Sequence, residues 1–232
     1  MLFSIPFLTL RKHIELDVYT HHAALKESSP IKVRSKSSYM KRPVDAIPNS
    51  TSMASCYGFV ELLKRSAILH SWMDWDMIVF EDGIVSTMSA IPTSINLFNH
   101  THLASEFAKS KNVTIVKCDP SIKVECKEDI SFVLSAPPFP LQKIGMPSGI
   151  LDFKHQHDIN FFMYIEGSTA GKWEFKLGDQ LVALTAMSDR PLNVRTHYDK
   201  AHYNYLCERS VPLTKNCAYI KRKRQSKGSS ND

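Results

Sequence analysis

Between His13 and Tyr198 the chain is a succession of short runs in which apolar and polar residues alternate, with turn signals every 8 to 12 residues or so. A period of two sets one side of each run in a core and the other in water, so the pattern calls for layered β structure. HIELDVYT, residues 13–20, places Ile14, Leu16 and Val18 on one face. AILHSW and WDMIVFEDGIVSTMS follow as strands, the latter folded into a hairpin at Asp82-Gly83, where glycine accepts the positive φ of a tight turn. NVTIVKC, IKVEC and DISFVLSA are three more, separated by Asp-Pro and Lys-Glu-Asp breaks. Beyond the Pro-rich APPFPLQKIGMP come ILDFK, INFFMYI, WEFKL, QLVALTAM and LNVRTHY. The expected fold is mainly β, an antiparallel β-sandwich or jelly-roll-like arrangement with a few short helices.

Two helices are expected at the margins. SMASCYGFVELLKRS has Ser52 or Ser55 as a cap and Phe59, Leu62 and Leu63 near helical spacing, and THLASEFAKS, residues 101–110, suits a crossing connection. Residues 26–50 carry Pro30, Pro43 and Pro48 without periodicity and read as a long loop, a place to look for partner contact. With 43% hydrophobic residues in 232, the chain can build a substantial core. Residues 1–217 are therefore read as one β-rich domain and residues 218–232 as a basic, disordered tail.

The net charge of +6 is concentrated between Lys221 and Lys227 and again between Lys32 and Arg42, in Ser-rich stretches. The rest is close to neutral, so no specific nucleic-acid binding is expected; the tail would touch phosphate weakly and lose that contact in salt. In the opening run MLFSIPFLTL the charges Arg11 and Lys12 follow the apolar residues instead of preceding them, which is not the order of a secretory signal. No stretch approaches the ~20 apolar residues of a spanning helix, and a soluble protein with no membrane partner is expected. Five widely spaced cysteines, Cys56, Cys118, Cys126, Cys207 and Cys217, contain no CxxC pair and read as free thiols in a reducing compartment.

MPSGILDFKHQHDINFF contains the one metal-like pattern. Gly149, His155 and His157 reproduce the first half of the cupin sequence G-x5-H-x-H, and two histidines at spacing two on a strand point the same way. The second half fails, because the Asn160–Phe162 region stands where a glutamate is needed and Glu166 lies too far along. His197 or His202 would have to supply a third ligand. Phe153, Ile159 and Phe161 share parity with the pair, so both histidines read equally well as core or strand-end residues. No metal, cofactor or catalytic residue is assigned.

Two further constellations have bland readings. Cys56 in SCYGF lies near a helix start, where a thiolate would be stabilised, but free cysteines are mostly buried and inert. Trp72, Asp74, Trp75 and Asp76 could form a sugar platform or an acid/base pair. Alternation sends Trp75 to the core and leaves Trp72 exposed, and packing is the preferred account. Neither GxGxxG nor GxxxxGK[ST] occurs.

The succession HIELDVYTH, MASCYGFVELLKRSAILHSWMDW, MPSGILDFKHQHDINFFMYI and LGDQLVALTAMSDRPLNV resembles an uncharacterised family of proteins from tailed bacteriophages, many of them marine. The resemblance spans about residues 12–200 and rests on Cys56, Gly58, Phe59, Trp72, Pro147, Gly149, Asp152, Phe153, Asn160, Gly178 and Leu181. Members often carry paired tryptophans before the cysteine, where this chain has KSSYMKRPVDAIPN, and the His155/His157 pair is not part of the family pattern. The family has no assigned activity. The resemblance implies a non-catalytic binding or structural module, a virion component or host-interaction protein, acting in the host cytoplasm or the virion with a protein partner or by self-association. The alternative is a cupin-like metal-dependent enzyme using His155 and His157.

Overall fold

The alternation in IELDVYT becomes strand β1 (Ile14–Thr20), with Ile14, Leu16, Val18 and Thr20 fully buried and Glu15, Asp17 and Tyr19 turned outward. The computed structural model describes residues 13–23, 25, 29–33, 56–89, 94–104, 106, 113–138, 145–166 and 170–210. In chain order the next elements are β2 (Ile31–Val33), helix α1 (Tyr57–Lys64), β3 (Ser66–His70), β4 (Trp75–Val79), β5 (Val85–Ser89) and β6 (Ile95–Asn99). A short 3-10 helix, Thr101–Ala104, precedes β7 (Val113–Pro120), β8 (Ile122–Glu125), β9 (Ser131–Ser135) and β10 (Gly149–Asp152). β11 (Phe161–Glu166), β12 (Gly171–Phe175), β13 (Gln180–Ala186), β14 (Leu192–Tyr198) and helix α2 (Lys200–Arg209) follow.

The protein is mainly β and β-sandwich-like, as the alternation requires. Its sheets run β14–β1–β8, β10–β9–β13–β3–β2, β11–β7–β6 and β12–β4–β5. Every neighbouring pair is antiparallel except β1 and β14, which run parallel with Ile14 opposite Leu192. Only Ser121 separates β7 from β8, so one nearly continuous strand leaves the β11–β7–β6 sheet and enters β14–β1–β8. Pro120 sits at that corner, where it has no ladder N–H to lose. The Ser29 and Thr196 hydroxyls, 2.8 Å apart, tie the approach to β2 onto β14.

One core cluster draws on every sheet, including Leu16, Leu69, Met77, Val116, Phe132, Phe161 and Leu184. Burying each such side chain is worth about 1.5–3 kcal/mol. Trp75 and Phe175 stack across the β4–β12 pair at 4.0 Å and 6°, and the Trp75 indole N–H donates to Ser71 Oγ at 3.0 Å. In the β4–β5 hairpin Gly83 takes φ +79° and Asp82 Oδ1 accepts the Ile84 N–H at 3.0 Å, the turn its sequence calls for.

Several expectations are corrected. β2 lies within residues 26–50, which therefore are not all loop; residues 34–50 are outside the described residues, as are 211–232 and the basic tail. At α1 the capping position is Cys56, with no side-chain cap; Ser52 and Ser55 are outside the described residues, and α1 buries Val60 and Leu63 while Leu62 is exposed. β6 and α2 were not anticipated from their sequences. No helix among the described residues is long and apolar enough to cross a membrane.

Candidate functional site

The outward face of β1 carries the densest polar chemistry. Register sets Asp17 beside Arg195 of β14 and Glu125 of β8, and Tyr19 beside His197 and Lys123. Asp17 Oδ1 lies 2.8 Å from His197 Nε2, and Glu15 accepts from Asn193 Nδ2 at 2.8 Å and from the Arg195 guanidinium. Helix α2 lies over this face. Its capping residue Asp199 accepts the His202 N–H at 2.9 Å, and His202 Nε2 reaches Glu125 at 3.2 Å. The Tyr19 ring contacts both His197 and His202, with centroids 4.9 and 4.2 Å away.

Burial, reinforced by the Asp17, Glu125 and Asp199 carboxylates, pushes the Tyr19 hydroxyl up to about 12, so it stays protonated. Burial and the neighbouring Cys207 raise Tyr203 as well. Lys123 pairs with Asp158; burial alone would lower its pKa, but the charge and hydrogen bond of Asp158 raise it. The Glu15–Arg195, Asp17–His197, Glu125–His202 and Lys123–Asp158 pairs fasten strands and helix together. Among the described residues no three His, Cys, Asp or Glu side chains are grouped so as to hold a metal ion.

His155 and His157 do not form the expected strand pair. After β10 the chain turns through Phe153–His155, where the His155 N–H donates to Asp152 O at 3.1 Å, so the two rings are not set alike by a strand pleat. His157 is 2% exposed and its Nδ1 lies 3.0 Å from Val124 O. Burial lowers its pKa, and the neutral ring donates to that carbonyl. His197 and His202 are committed to Asp17 and Glu125, not to this pair.

The other candidates separate too. Cys56 is exposed at the start of α1, a correction to its expected burial, because it is the capping residue ahead of the first helical turn. Trp72 is buried, a correction to its expected exposure, so both tryptophans pack inward. Asp74 accepts the Leu177 N–H at 2.8 Å, which with Lys176 pulls its carboxyl pKa down, and Asp76 pairs with Lys172 at 3.1 Å. Each carboxylate has its own cation, which is not the shared environment of an acid/base pair.

Sequence reasoning missed two surfaces. Between α1 and the outer side of β3 and β13 lies a cavity of about 410 Å³ lined by Phe59, Leu63, Ile68, Pro138 and Ala183; its Ser66 and Thr185 hydroxyls bond each other at 2.8 Å. On the outer face of the β12–β4–β5 sheet, Ile84 and Met88 project into solvent, with Phe80 closing the same hairpin and Phe98 on the adjoining β6. Alternation in VSTMS marked Met88 as outward but could not say which strand would lie beside it. No protein-family model matches the chain, and no curated protein is similar enough to it to indicate a relationship.

Proposed function

We propose that the protein is a non-catalytic β-sandwich module that acts by binding, as a component of a tailed-phage virion or as a phage protein that contacts its host. The observation that carries this reading is the outer face of the β12–β4–β5 sheet. Ile84 and Met88 are 59% and 60% exposed, and the Phe80 and Phe98 rings are also open to solvent. Ion pairs from Lys172 to Asp76 and Glu174 and from Lys176 to Asp74 flank this apolar area. An apolar centre with a charged rim is the anatomy of a protein interface. The occupant it suits is a folded protein surface, and a second copy of the chain is the first to test.

Sedimentation velocity over a concentration series would compare the wild type with Ile84→Asp/Met88→Asp. The expected result is association of the wild type and a monomeric variant with unchanged melting temperature. A wild type that stays monomeric throughout removes self-association through this face. Stoichiometric Fe, Mn or Zn in chelator-free protein, lost in His155→Ala/His157→Ala, would replace the binding reading with the cupin-like enzyme one.

A further inference from the structure

Four histidines gather where β1 ends and α2 begins. The His21 and His22 rings, directly after β1, lie 3.9 Å apart and are tilted by 40°, and the His21 ring lies 4.5 Å from that of Tyr203 of α2, tilted by 54°. His197 and His202 contact the Tyr19 ring close by. His21 Nδ1 and His22 Nε2 are buried with no hydrogen-bond partner among the described residues. Helix α2 itself buries only Tyr203 and Leu206, so the rings against Tyr203 contribute to seating it on the sheet, beside Leu206 and the His202–Glu125 contact.

We propose that α2 is an acid-released clasp: neutral His21 and His22 seat Tyr203 against the β14–β1–β8 sheet, and their protonation unseats the helix while the sandwich stays folded.

The charges around these rings favour release. Burial disfavours the imidazolium at both positions, and His22, Lys200 of α2 and Lys123 of β8 add repulsion at His21. The Lys123 ammonium already lies 5.8 Å from the Tyr203 ring centroid and is matched by Asp158, with Asp119 of β7 nearby. Other charged and titratable groups of these elements include Asp17 of β1, Arg195 and His197 of β14, Glu125 of β8, Asp199, His202, Cys207 and Arg209 of α2, and the buried His157 beside β8. Charging His197 and His202 adds attraction to Asp17 and Glu125 and opposes release. The His197 and His202 ion pairs are partly open to water, where such pairs are weak, whereas His21 Nδ1 and His22 Nε2 are buried with no acceptor among the described residues. With the His21 and His22 pKa values depressed in the seated form, the released form binds more protons. Seating therefore weakens as pH falls below about 6.5.

Hydrogen exchange of the full chain, converted to protection factors to remove the intrinsic pH dependence, would follow α2 with β13 as internal reference. The expected result is a loss of α2 protection of about tenfold or more between pH 7.5 and 5, with β13 unchanged. His21→Phe/His22→Phe, which keeps the ring contacts and removes the titration, is expected to hold α2 in place at pH 5. Should that pair of changes impair folding, the single His21→Phe variant is expected to reduce the loss. His197→Gln/His202→Gln is expected to steepen it. Protection of α2 that is constant or rises on acidification, falls together with β13, or still falls in the His21→Phe variants as in the wild type overturns the proposal.

Discussion

Asp17 and His197 meet at 2.8 Å across the parallel β1–β14 pair although 180 positions separate them in the chain. The contact fastens a parallel strand pairing, which no hairpin could have made. Asp17→Asn keeps the shape and removes the charge, and is expected to cost about 1 kcal/mol, since His197 is part exposed and Arg195 is nearby. A double-mutant cycle with His197→Gln, read by urea unfolding, checks it; zero coupling would mean that the pair contributes nothing.

Phe175 presents its whole face to Trp75 in the core. Phe175→Ala is expected to lose about 3–5 kcal/mol, because a vacated aromatic site between two strands collapses poorly. Trp75→Phe keeps the stack, forgoes the bond to Ser71, and should cost about 1 kcal/mol. Equal losses for the two variants would contradict the stacking account.

Gly83 sits at φ +79°, and a Cβ there would meet Asn99 Nδ2 at 3.2 Å, the same group that donates to Gly83 O at 2.6 Å. Gly83→Ala is expected to cost about 1–2 kcal/mol by thermal unfolding. Asn99→Ala in the same background should recover part of that loss, and no recovery would place the whole cost in the backbone.

Asp119 on β7 is buried more than it is compensated: desolvation raises its pKa despite Lys123 and Lys117. A carboxyl whose folded-state pKa exceeds its unfolded value makes the folded state lose stability as pH rises through that range. Asp119→Asn is accordingly expected to raise the melting temperature at pH 7, with the advantage shrinking towards pH 4. A lower melting temperature at pH 7 would show that Asp119 is needed as an anion.

How far the sequence carried the fold follows from which forces act locally. β1, the β4–β5 hairpin and strands such as β8 and β9 were legible because burial on one face imposes period two and Gly83 imposes its turn, while β3, β7 and β13, buried along much of both faces, were legible as short apolar runs between turn signals. β2 was not, since three residues carry no period, and it exists by pairing with β3. α2 has only two buried side chains, so its clearest signal was the Asp199 cap. The polar face was hidden for the same reason as the β1–β14 pair: Asp17, Tyr19, Glu125, His197 and His202 come together only through distant register. For His155 and His157 the spacing of two left core and strand-end readings open; the chain turns there, and His157 is the core residue of the two.

The β1–β14 pairing also sets a timetable. Glu15 and Asn193 are 178 positions apart, so at roughly 5–20 residues per second a ribosome needs on the order of 10–35 s between delivering the first strand and its neighbour. For that interval Ile14, Leu16 and Val18 lack one of the walls that finally encloses them. The nascent chain thus has to be kept from its fellows until the late strand emerges, and a truncation just before β14 should aggregate more readily than one that removes α2 alone.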